Sequence, residues 1–125
     1  MTATLAKTVR GVIVAGWCIL ALLGASVPGV AATITIQMTD KNTFDPVTQP
    51  VKVGDTVIWN NGSGAVHTVT PDPGQPGAFA DSGDVASPGN YTITISGVPR
   101  TIKYYCKKHG APGGGGMSGT LVVGP

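Results

Sequence analysis

In TITIQM (33–38), NYTITIS (90–96) and TIKYYC (101–106) every second residue is apolar, and glycines bound the second run on both sides. A period of two is that of a strand with one buried face and one wet face. An amphipathic helix instead needs apolar residues recurring at a period of 3.6 over roughly ten residues or more. Nineteen glycines and ten prolines among 125 residues leave no such run beyond the N-terminal segment. The chain is therefore expected to be all-β and long enough for one domain.

The alternation also says which side chains point inward. Ile34, Ile36 and Met38 share one face of the first strand, and Tyr91, Ile93 and Ile95 share one face of a later one. PVKVGDTVIWNN reads as two adjacent short strands joined by a Gly-Asp turn, and AVHTVT (65–70) as a further short strand. TIKYYC aligns Ile102, Tyr104 and Cys106 inward and Lys103 and Tyr105 outward, and GTLVV closes the series at Val123. Residues 71–89 have no period and read as a long loop with room for a turn of helix. At least six short, evenly spaced strands imply an antiparallel β-sandwich.

The N-terminus has another character. Lys7 and Arg10 precede 17 almost wholly apolar residues, Gly11 to Val27, and Val30 and Ala32 are small residues where a signal peptidase reads them. Residues 1–32 are thus expected to be a signal peptide, cut after Ala32, and residues 33–125 the mature domain. The alternative is a retained anchor, although the run is at the short end of the roughly 17–25 residues that span a bilayer.

Removing that segment changes the charge. Six Lys and Arg then face six Asp, so the mature domain is formally neutral and has no basic face for a nucleic acid backbone. Cys18 leaves as well, so no internal disulfide is possible. Cys106 is then a small buried hydrophobe, an intermolecular crosslink or a ligand.

Cys106 ends its strand facing inward, and His109 follows three residues later. That spacing lets a thiolate and an imidazole converge on one ion, but Cys-x-x-His alone is a weak signal. Structural zinc normally takes four ligands, commonly with two or more cysteines, and the mature chain has one. Its remaining soft donors are His67, Met117 and Met38, the last on the inward face of the first strand and read as core. Two His, one Cys and a weak axial Met form the ligand set of a blue-copper centre.

VKVGDTVIWNNGSGAVHTV (51–69), followed by YYCKKHGAPGGGGMSGTLVV (104–123), resembles the cupredoxin family, in particular its plastocyanin-like and pseudoazurin-like members. The resemblance spans the whole mature chain. It implies a Greek-key antiparallel β-sandwich and a type 1 site holding one copper ion per chain, cycling between Cu(I) and Cu(II), with His67, Cys106, His109 and Met117 as ligands. Two features depart from the family's pattern. Seven residues, GAPGGGG, separate His109 from Met117 where the family has fewer, and Thr68 stands where it often has Asn.

The resemblance further implies an electron carrier rather than an enzyme, since nothing else in the chain matches catalytic equipment. His109, ringed by Ala111, Pro112 and the glycines, would meet a redox partner transiently, with Tyr105 as a second route. Lys107 and Lys108 beside it would favour an acidic partner. The protein is expected to be a monomer, exported to a periplasm, the cell exterior or a thylakoid lumen, and free of the membrane once cut. Two other readings are copper storage, delivery or sensing, and a structural or adhesive sandwich without metal.

Overall fold

A computed structural model describes residues 29–125. The expected signal segment lies, as far as residue 28, outside the described residues. The described chain is all-β, with eight strands and no helix: β1 (Thr33–Met38), β2 (Phe44–Asp45), β3 (Thr48–Lys52), β4 (Thr56–Asn61), β5 (Thr70–Pro71), β6 (Gly89–Thr94), β7 (Arg100–Ala111) and β8 (Gly115–Gly124). They form two four-stranded sheets, ordered β2-β1-β4-β6 and β3-β8-β7-β5.

The expected sandwich is present, with a mixed rather than purely antiparallel pairing. β1 runs parallel to β4 and β3 parallel to β8, while β4–β6, β5–β7 and β7–β8 are antiparallel. The chain between Val51 and Trp59 does not make two adjacent strands, because β3 and β4 belong to different sheets. The Gly-Asp turn is the crossing point. Val53 N–H bonds the Gly124 carbonyl and Gly54 N–H the Ile95 carbonyl, so the turn is tied to a neighbour on each side.

Asp55 fixes that crossing. Its two carboxylate oxygens accept the N–H groups of Ala32 (2.9 Å) and Lys52 (2.8 Å). Those bonds, the Ala32 one foremost, hold its carboxyl below the ordinary value of 3.8. Ala32 already belongs to the sandwich, since its carbonyl also accepts Thr56 N–H.

Between the sheets lie the alternating residues read as inward. Ile36, Met38, Val57 and Trp59 meet Ile102, Tyr104, Leu121 and Val123, all nearly or fully buried. Truncating a core aromatic such as Trp59 to Ala costs about 3–5 kcal/mol. Trp59 and Tyr104 meet edge to face at 5.3 Å, and Phe44 meets Tyr104 at 4.8 Å. Gly119, the cross-strand partner of Tyr104, is required there: a Cβ would lie 2.5 Å from the phenol ring. Burial pushes the Tyr104 hydroxyl up to about 12, with Trp59 opposing the shift.

Candidate metal centre

His67 comes from the segment between β4 and β5. AVHTVT is not the continuous strand its alternation implied; only Thr70 enters β5, and before it the segment pairs at one bridge, where His67 N–H bonds the Val85 carbonyl and Val85 N–H the His67 carbonyl. Cys106 and His109 come from β7, which runs on past Cys106 to Ala111 and changes register against β8 between Tyr105 and Gly110. That irregularity turns His109 back beside Cys106.

Three donor atoms therefore meet. His67 Nδ1 and His109 Nδ1 are 3.1 Å apart, and Cys106 Sγ lies 3.8 Å from the first and 3.6 Å from the second. An ion in the plane of three such donors, about 2.0 Å from each nitrogen and about 2.3 Å from sulfur, spreads them about 3.5–3.8 Å apart. The triangle fits a single trigonal metal. His67 and Cys106 are fully buried, whereas His109 reaches the surface. Burial lowers the His67 pKa below 6.5, and the proximity of His109 pushes the same way, so His67 is a neutral imidazole with a free donor atom at pH 7.

Polar residues hold this triangle from behind. Thr68 N–H points at Cys106 Sγ (3.3 Å), and Thr68 Oγ1 accepts Lys107 N–H (2.8 Å). The Thr68 hydroxyl also meets Thr70 Oγ1 (2.9 Å), which donates to Asp81 Oδ1 (3.1 Å), and Asp81 forms an ion pair with the Lys107 ammonium. The circuit closes on Lys107, the residue after Cys106. Burial pushes the Asp81 carboxyl up, yet hydrogen bonds from Lys107, Gly83 and Thr70 and the lysine's charge together hold it below 3.8.

Behind His67, Ser63 Oγ lies 3.0 Å from Nε2 and 2.8 Å from Asn61 Oδ1. Neither Ser63 nor Asn61 stands out in the sequence, where small polar residues beside glycines read as a turn. The only signal is that Ser63 precedes His67 by four residues.

Met117 is 1 % exposed and packs in the core cluster. The seven residues before it are mostly hairpin rather than slack loop: Gly110 pairs with Gly116 and Ala111 with Gly115 around a tight turn. Met117 thus returns to the level of His109. The two backbones touch here, because a Cβ on Gly110 would overlap the Met117 carbonyl and one on Gly116 would lie 2.5 Å from the His109 carbonyl. Asp72 Oδ2 ties down the hairpin tip by accepting Gly113 N–H (2.9 Å).

Around His109, residues 111–116 are exposed, as are Ala65 and Val66. The two lysines do not form a free basic patch. Lys107 pairs with Asp81, and Lys108 with Asp84 at 3.3 Å. The steering expected toward an acidic partner is therefore largely neutralised within the chain.

No family model matches the chain. Solved structures do. The copper-containing nitrite reductase of Thermus scotoductus SA-01 superposes with a TM-score of 0.63 at 22 % identity over 82 % of this chain, which spans only 24 % of that enzyme's length. Oxidised amicyanin, in the form of a point mutant, gives 0.60 at 27 % identity, covering 73 % of this chain and 81 % of its own. A purple cupredoxin from Nitrosopumilus maritimus gives 0.59 at 19 % identity, covering 72 % and 98 %. The first and third carry the likeness of fold alone, while amicyanin aligns at higher identity along most of its own length.

Proposed function

We propose, from the premise that this chain has the cupredoxin fold and a His-Cys-His cluster fitting a blue-copper site, that it is an electron carrier holding one copper ion. His67, Cys106 and His109 would hold that ion, with Met117 as the fourth ligand. The observation that carries this reading is the donor triangle, with edges of 3.1, 3.6 and 3.8 Å, one thiol and two imidazoles. Copper bound there supplies a one-electron couple whose potential the axial group tunes.

The chain's own residues do the rest. The Thr68 N–H directed at Sγ stabilises a thiolate by hydrogen bonding. Burial of His67 and Cys106 keeps water from two sides, and ligands braced by β7 and the Val85 bridge need move little between oxidation states. His109 is the exit to a redox partner, which docks transiently on Ala65, Val66, Ala111 and Pro112. Since Lys107 and Lys108 are paired, small apolar contacts rather than charge carry that docking. A carrier is favoured over an enzyme because the sequence offers no second catalytic constellation. Export behind a leader ending at Ala32, and action as a monomer, belong to the same proposal.

The test is a titration of the purified protein with Cu(II). Intense thiolate-to-copper absorption in the visible, saturating at one ion per chain and abolished in Cys106→Ser, is the expected result. Its absence, or its survival in the variant, would sink the assignment. Rapid one-electron exchange with a small redox protein separates a carrier from a copper store, which exchanges slowly and gives up its metal.

A further inference from the structure

Asn61 is fully buried, and its amide can be oriented from its partners alone. Nδ2 lies 2.8 Å from the Ala65 carbonyl and 2.9 Å from the Val85 carbonyl, both of which only accept. Oδ1 therefore faces Ser63, accepting its backbone N–H at 3.1 Å. Ser63 Oγ lies 2.8 Å from that same Oδ1, accepts Ala65 N–H at 3.1 Å, and sits 3.0 Å from His67 Nε2. A hydroxyl has one proton to give and two lone pairs to fill. Its shortest contact is with Asn61 Oδ1, which can only accept, so the proton goes there. Ala65 N–H fills one lone pair, and the second is left for a donor: His67 Nε2–H.

We infer that Ser63, oriented by Asn61, is the positioning residue that fixes His67 in its Nε2–H tautomer and aims the Nδ1 lone pair at the metal site. The inference rests on reading the cluster as a metal centre, but the tautomer itself is a property of the protein without metal. The arrangement closes on itself. Val85 O accepts both Asn61 Nδ2–H and His67 N–H, so the backbone and ring of His67 hang from one asparagine. Partners of this kind set ligand orientation and basicity in metal sites, and their loss costs about 10–100-fold in affinity.

The test is long-range ¹H–¹⁵N correlation of the imidazoles in metal-free protein, followed by Cu(II) titration, on the wild type, Ser63→Ala and Ser63→Thr. The wild type should show His67 protonated at Nε2 alone. Ser63→Ala should show a mixture of tautomers and weaker Cu(II) binding by about 10–100-fold, and Ser63→Thr, which keeps the hydroxyl, should restore both. A wild-type His67 protonated at Nδ1, or a Ser63→Ala spectrum with the wild-type tautomer, overturns the inference. The wild-type measurement decides the matter even if Ser63→Ala does not fold. Should Cu(II) give no thiolate absorption while the tautomer is as stated, the copper reading fails and the Ser63 assignment stands.

Discussion

Thr68 and Lys107, 39 residues apart in sequence, are joined at 2.8 Å by the hydroxyl of the first and the backbone N–H of the second. Each is the neighbour of a proposed ligand, His67 or Cys106, so the bond clamps the segments that carry those two residues together. A threonine hydroxyl makes that bond and passes its own proton on toward Thr70.

Replacing Thr68 by the similarly shaped Val should therefore preserve the fold while leaving the Lys107 N–H without its acceptor. A lost partner of this kind costs about 1–3 kcal/mol. In a domain of this size the metal-free protein should melt about 5–15 °C lower, and in copper-loaded protein the thiolate-to-copper band should shift as Cys106 gains freedom. A melting point within about 2 °C of wild type would show that the clamp contributes little.

Gly110→Ala should be among the most damaging substitutions in the hairpin, since its methyl overlaps the Met117 carbonyl. The expected cost exceeds about 2 kcal/mol, in the range of overpacked sites, with Cu(II) binding weakened in parallel. Gly62→Ala is the control, because nothing lies within 4 Å of a Cβ there. Chemical denaturation of both variants checks the contrast; equal, small effects would mean that the backbones are not in contact at Gly110.

Met117→Leu keeps the buried volume and removes the thioether. If Met117 is the axial ligand, the reduction potential should rise and the visible spectrum change, with folding stability altered by less than about 1.5 kcal/mol. Voltammetry with an unchanged potential and spectrum would leave Met117 a core residue only.

Asp55 supplies a pH dependence away from the metal centre. Its carboxyl is held below 3.8 in the folded chain, so the unfolded chain binds more protons near that pH. Stability then rises with pH across the interval. The contribution is complete above about pH 5 and fades as pH falls through 3.8 toward the lower folded value. In protein that retains Ala32, Asp55→Asn should lose this acid sensitivity, as measured by urea midpoints between about pH 3 and 6. A parallel loss of stability in wild type and variant over that range would assign it to other groups.

The longer strands were legible because each buries one face, which imprints a period of two, whereas the two-residue β2 and β5 are too short to carry it. What the period does not encode is which strand lies next to which. The Gly-Asp turn between Val53 and Thr56 looks like a hairpin, yet the chain crosses between sheets there, its N–H groups being taken by Gly124 and Ile95. The three equatorial candidates were legible because soft donors are scarce in this chain. Their supports were less so: Thr68 showed only as a departure from the resembled pattern, Ser63 sits among local partners whose geometry the sequence does not give, and Asp81 is an ordinary polar residue that gains its role only through partners distant in sequence. The lysine pairs were hidden for the same reason, and a glycine run does not reveal that Gly110 and Gly116 lie face to face.

His67 and Cys106 stand 39 positions apart, and that separation bears on when this protein could acquire a metal ion. The donor triangle comes together only once β7 has docked and the Val85 bridge has formed, closures of long loops that are entropically costly. An extended chain offers a metal only scattered thiols and imidazoles. Were copper the ion, loading would follow folding, and by mass action the ion would act as a lock, its affinity adding directly to the work needed to unfold the domain.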